Sequence, residues 1–104
     1  MEFDEDKAQK IIGSSILVGI TYFDSSGEFE SQTQFYGSVL SVSSEAGILL
    51  KLAGKRSGEE YNLPPDTSCI WKAEPGVYML KSNNEEIEDP NYLCSWEVYR
   101  KRKT

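Results

Sequence analysis

The sequence contains no histidine. That absence removes Ser–His–Asp and Cys–His nucleophiles, histidine general bases and histidine-ligated zinc. Cysteine is scarce as well: Cys69 and Cys94 stand alone, without CxxC spacing and without partners for a metal site. No apolar run approaches the roughly 20 residues a membrane helix needs. Positive charge is thin, with 11 basic residues against 17 acidic ones and a net charge of -6. Four of the basic residues are Arg100 to Lys103, so residues 1–99 hold 7 basic against 17 acidic, a net of -10. A body of that sign repels nucleic-acid phosphates and anionic lipid. Neither nucleic acid nor a membrane is an expected partner.

What remains is enough for one domain, residues 1–104, with a basic tail from residue 100 that is expected to fray. Leu, Ile, Val and Phe make up 24 of the 104 residues, which predicts a compact but thin core. The opening Met1-Glu2-Phe3-Asp4-Glu5-Asp6 is acidic, the reverse of a signal peptide's basic start. The expected location is therefore the cytoplasm, where Cys69 and Cys94 would be reduced and buried.

Asp4 to Ile12 has the marks of a short helix. Asp4 can cap it, Glu5 and Asp6 suit its first turn, and Gly13 ends it. From Ser14 the period changes to two: Ile16, Val18, Ile20 and Tyr22 share one side of a strand. Asp24 to Gly27 is a turn, and Glu28 to Val42 is a long β-prone run whose apolar register switches near Tyr36-Gly37, as at a bulge. Ser43 to Gly47 reads as a hairpin, Ile48, Leu50 and Leu52 as inward positions, and Gly54 to Gly58 as a break. Tyr61 and Leu63 mark a short strand stopped by Pro64-Pro65. Cys69 to Trp71 and Val77 to Lys81 are further short strands, Ser82 to Asn91 an acidic surface loop, and Cys94, Trp96 and Val98 the closing strand.

Short strands joined by Gly, Pro and Ser turns, with no helix long enough for a crossover, predict an all-β domain. A small barrel of about five to seven strands with a short N-terminal helix is the expected architecture, since closure protects edges. The stretch Ile16 to Phe23, then Gly27, Tyr36 to Val42 and Ile48 to Leu52 resembles the first motif of Sm-like and wider SH3-like barrels. The resemblance covers residues 5–63. It implies a barrel without the family's RNA site: Ser43-Ser44-Glu45-Ala46-Gly47 lacks the Asp and Asn of that site, and no Arg-Gly or Lys-Gly pair lies near Cys69 to Lys72. With Tyr61 to Asp66 and Asp89 to Trp96 included, the pattern also resembles small uncharacterised bacterial proteins, immunity-type inhibitors of toxins among them.

Several residues can carry contact chemistry. Tyr22, Tyr36, Tyr78 and Tyr92 can fall on an outer face, whereas Trp71 and Trp96 read as core. Asp66, behind two prolines, can offer a carboxylate to a partner or accept hydrogen bonds from the amides of its own turn. Glu85, Glu86, Glu88 and Asp89 can steer a basic protein or simply form a solvated loop. They lack the glycine and spacing of a calcium loop. No Walker, Rossmann or nucleophile-elbow pattern occurs, so no catalytic, metal or cofactor residue is assigned. The expected function is a non-enzymatic protein-binding module, an immunity-type inhibitor being its most concrete form. Its partner residues are Tyr36, Asp66, Tyr78, Glu85, Glu86, Glu88, Asp89 and Tyr92. An RNA-binding Sm-like protein and a small enzyme are the alternatives, and a homodimer through a free strand edge is compatible with all three.

Overall fold

The computed structural model describes residues 2–81 and 84–100. Helix α1 (Glu5–Ile11) starts where the sequence predicts: the Asp4 carboxylate accepts from the Lys7 amide at 3.1 Å, and Glu5 and Asp6 occupy the first turn. Two turns cannot hold a helix alone. Ala8 and Ile11 are buried, and the backbone just before the helix docks onto a distant turn. There the Asp4 amide donates to Thr67 Oγ1 at 2.9 Å, the Thr67 amide donates to the Glu2 carbonyl at 2.8 Å, and Lys7 Nζ donates to the Thr67 carbonyl at 2.7 Å.

The strands are β1 (Ser15–Phe23), β2 (Phe29–Ser43), β3 (Gly47–Leu52), β4 (Glu60–Leu63), β5 (Ile70–Lys72), β6 (Val77–Met79), β7 (Glu86–Glu88) and β8 (Tyr92–Tyr99). Single 3-10 turns lie at Gly54–Arg56 and Thr67–Cys69. Among the described residues six strands form one sheet in the order β4-β3-β2-β1-β8-β5, and β6 and β7 form a separate hairpin. All pairings are antiparallel except β1 with β8. A clamp fixes that parallel register at its start. The Ser15 amide and hydroxyl both donate to Asn91 Oδ1, at 2.9 and 3.0 Å, and the Asn91 amide donates to Ser15 Oγ at 2.9 Å.

One apolar cluster draws on every strand of the large sheet and on α1: Ile11, Ile16, Val18, Ile20, Phe35, Val39, Ile48, Leu50, Leu52, Leu63, Ile70 and Cys94. The period-two pattern of β1 and β3 delivers its residues to one face, as alternation requires. In β2 the bulge toward β3 lies later than expected, and toward β1 the register also skips Glu30. Val39 faces Leu50 and Ser41 faces Leu49, which leaves Leu40 unopposed and turned toward solvent. Gly37 serves another purpose: a Cβ there would collide with the Lys51 carbonyl of β3.

The expected all-β, closed SH3/Sm-like barrel is not what forms, and the resemblance to Sm-like and SH3-like families fails with it. The domain is mixed, one helix with two open sheets, and no ladder among the described residues joins the outer strands β4 and β5. The physical reason lies in the short strands. Pro64 follows β4 after four residues, and β5 spans three and covers only Tyr92–Cys94 of β8. The chain after β5 then builds a hairpin off the sheet where a barrel would need a closing wall. Its second strand, β7, falls inside Ser82 to Asn91, which the sequence reads as a loop.

Candidate functional site

Five of the residues expected to meet a partner lie on or beside the β6–β7 hairpin. Its register pairs Val77 with Glu88, Tyr78 with Ile87, and Met79 with Glu86. Directly opposed residues share a face and neighbours alternate. Tyr78 and Ile87 therefore occupy one face, Val77, Met79, Glu86 and Glu88 the other. The first face is turned inward: Ile87 is buried, and so is Leu80 just past β6. The second is turned to water, with Val77 63% and Met79 56% exposed and both carboxylates exposed beside them.

Both ends of the hairpin are tied. At the base, the Gly76 amide donates to Asp89 Oδ1 at 2.7 Å and the Asp89 amide to the Gly76 carbonyl at 2.8 Å. Asp89 takes a φ of 47, a left-handed conformation that a short polar side chain tolerates. The Tyr78 hydroxyl donates to the Glu74 carbonyl at 2.7 Å. At the turn, the Leu80 amide donates to the Glu85 carbonyl at 2.8 Å, and the Lys81 amide to Gln34 Oε1 of β2 at 2.7 Å. The Tyr36 hydroxyl of β2 donates to Glu85 Oε2 at 3.0 Å. Burial, then the neighbouring Glu85 carboxylate, raises the Tyr36 phenol above its ordinary range and keeps it a donor. The short strand pair is thus fastened to the central strand β2, support that an isolated hairpin lacks.

The structure brings Tyr36, Tyr78, Glu85, Glu86, Glu88 and Asp89 to this one element. Asp66 is elsewhere and fully engaged: its Oδ1 accepts from the Ser68 amide at 2.9 Å, from the Ser68 hydroxyl, and from the Glu2 amide at 3.4 Å. Those bonds, the Ser68 hydroxyl first, hold its carboxyl below the ordinary range. Tyr92 is half-buried against the core, as are Tyr22 and Trp96. Trp71, read as core, is instead 47% exposed on the edge strand β5. Arg100 is bonded to Glu30 at 2.8 Å, with its guanidinium over the Tyr22 ring. Residues 101–103 of the basic tail lie outside the described residues.

Val77 and Met79 are exposed apolar residues of this face that the sequence reading did not single out. Their signal was present: alternating Val-Tyr-Met, a turn, then alternating Glu-Ile-Glu with its one apolar residue opposite the tyrosine.

Beside the hairpin base a groove of about 390 Å³ is lined by Ser14, Lys72, Ala73, Pro75, Asp89, Pro90, Asn91 and Tyr92. Its one carboxylate is already spent on the Gly76 amide. Among the described residues no three metal-ligating side chains gather, and no helix is long and apolar enough to cross a membrane. No family model matches the chain, and neither a curated protein nor a solved structure matches it.

Proposed function

We propose that this chain is a non-enzymatic protein-binding module that presents the outer face of β6–β7 to a basic protein. The observation that carries the reading is the register itself: two exposed apolar side chains, Val77 and Met79, each sit directly opposite an exposed carboxylate, Glu88 and Glu86. Apolar anchors supply buried area in a complex, and the acidic rim steers a partner of opposite sign. Residues 74–89 hold five carboxylates against Lys81 alone, so the steering field is local as well as global. On this reading the encounter takes place in the cytoplasm, with Cys69 and Cys94 reduced. The module acts by occupying its partner's surface.

The test is capture of interacting proteins at low salt with the wild type, with Val77→Ser/Met79→Ser, and with Glu86→Gln/Glu88→Gln. A basic protein is expected to be retained by the wild type and lost with the serine pair. The glutamine pair is expected to slow association and flatten its salt dependence. Equal retention by all three proteins overturns the reading.

A further inference from the structure

Strand β8 pairs with β1 along its whole length, Tyr92 facing Ile16 through Tyr99 facing Phe23. On its other side β5 covers only Tyr92, Leu93 and Cys94. Ser95 to Tyr99 therefore present a free sheet edge among the described residues. The other free edge near them belongs to β4, and the two border one apolar groove of about 250 Å³. Trp96, Val98 and Ile20 line one side, and Tyr61, Leu63 and Pro64 the other. That volume lies below the roughly 300–1,000 Å³ of small-molecule sites. It suits side chains that enter from a strand lying along the edge.

We propose that the slot between β8 and β4 receives one extended segment of a partner protein, which adds to the Ser95–Tyr99 edge as an extra strand with apolar side chains in the groove and basic side chains outward. An unpaired edge supplies the backbone donors and acceptors for such addition, and alternate pockets supply its specificity. Trp96 and Val98 face the groove, so an added strand must be apolar at the positions beside them. Glu97 lies between, exposed on the opposite face, where among the described residues the Tyr99 hydroxyl bonds it, at 2.9 Å. Glu60 is the exposed acid at the β4 border. A lysine or arginine is favoured opposite Glu97, since an opposite charge directly across stabilises a pair and a like charge destabilises it. The same rule opposes a second copy in the two-fold antiparallel register centred on Glu97, which sets Glu97 against itself. A second copy would also bring β1 attached to its β8, whereas a slot bordered on two sides suits a lone strand.

The experiment uses the full chain and two synthetic peptides, Thr-Val-Lys-Val-Lys-Val-Thr and its Glu-for-Lys counterpart, read by amide hydrogen exchange. The lysine peptide is expected to slow exchange of the Ser95, Glu97 and Tyr99 amides, which strand alternation turns away from β1, on the order of tenfold, with the glutamate peptide inert. Glu97→Lys, an exposed substitution, is expected to reverse that preference. Val77→Ser/Met79→Ser is expected to bind the lysine peptide as the wild type does, because the slot is separate from the hairpin face. Absence of protection with either peptide, protection confined to the hairpin, or an unchanged preference in Glu97→Lys each overturns the proposal. Concentration-dependent protection of Ser95–Tyr99 without peptide also overturns it, in favour of self-pairing.

Discussion

The hydroxyl of Tyr36 lies 3.0 Å from Glu85 Oε2, and this bond fastens the turn of the β6–β7 hairpin to the central strand β2. The space around it is closed by Gly54: a Cβ there would overlap both the Glu85 carboxylate and the Tyr36 hydroxyl, and its φ of 66 is one that glycine takes without strain. Tyr36→Phe keeps the ring and removes the donor. Expected is a loss of about 1 kcal/mol, the usual net worth of such a bond. The loss should be local. Hydrogen exchange at Val77–Met79 is expected to quicken while β1 and β2 stay protected. Equal acceleration across the large sheet would show that the hairpin is not a separate unit.

Two strand glycines give a prediction of opposite outcomes. At Gly37 a Cβ meets the Lys51 carbonyl and the Leu52 backbone, neither of which can move without breaking the β2–β3 ladder. At Gly19 the nearest atom is the Gln32 amide nitrogen at 4.0 Å, the end of a flexible side chain. Gly37→Ala is expected to cost at least about 3 kcal/mol, or to prevent folding, by backbone displacement. Gly19→Ala is expected to be neutral or stabilising by up to about 1 kcal/mol, since alanine loses less entropy on ordering. Urea midpoints of the two variants separate these outcomes.

The pattern of the chain specifies its local elements well and its closure poorly. Asp4 as helix cap, the alternation of β1, the Ser43–Gly47 hairpin and Asp66 as turn acceptor all follow from residues close in sequence. What escapes is set by partners far apart. Whether β4 meets β5 depends on strand lengths, and Glu86-Ile87-Glu88 becomes a strand only because Val77-Tyr78-Met79 lies opposite it. Trp71 misleads for a related reason: apolar character predicts burial only where a second layer covers the residue, and β5 is an uncovered edge. The acidic residues of the candidate surface were legible; the alternation of its apolar members was legible too, but that Val77 and Met79 face outward follows only from the register.

Asp66 predicts part of the acid behaviour. Its hydrogen bonds, that to the Ser68 hydroxyl first, lower its folded-state value below the ordinary 3.8. A depressed carboxylate contributes stability that is present above its unfolded value and lost as pH falls through the folded one. Asp66→Asn keeps an acceptor oxygen at the cap but loses its charge, so it is expected to cost no more than about 1 kcal/mol at neutral pH. It is also expected to make stability less steep in pH below about 4. Some steepness will persist, because Asp24 is lowered in the same way by Ser26. Urea midpoints measured down the acid limb check the slope; an unchanged slope would remove Asp66 from this role.

The two thiols are separated by burial. Cys94 is 3% exposed, and desolvation pushes its thiol up to about 12. At about pH 8 that leaves almost none of it as thiolate. Cys69 is half-buried, raised first by burial and then by the Asp66 carboxylate, to whose Oδ2 its Sγ donates at 3.6 Å. Iodoacetamide at about pH 8 is therefore expected to modify Cys69 slowly and Cys94 only as fast as the domain unfolds, because the thiolate is the reactive species. Peptide mass spectrometry over time distinguishes the two sites. In Asp66→Asn the carboxylate's repulsion is gone, so Cys69 should react faster while Cys94 still follows unfolding. Native-state modification of Cys94 at the rate of Cys69 would show that the core around β8 opens without unfolding.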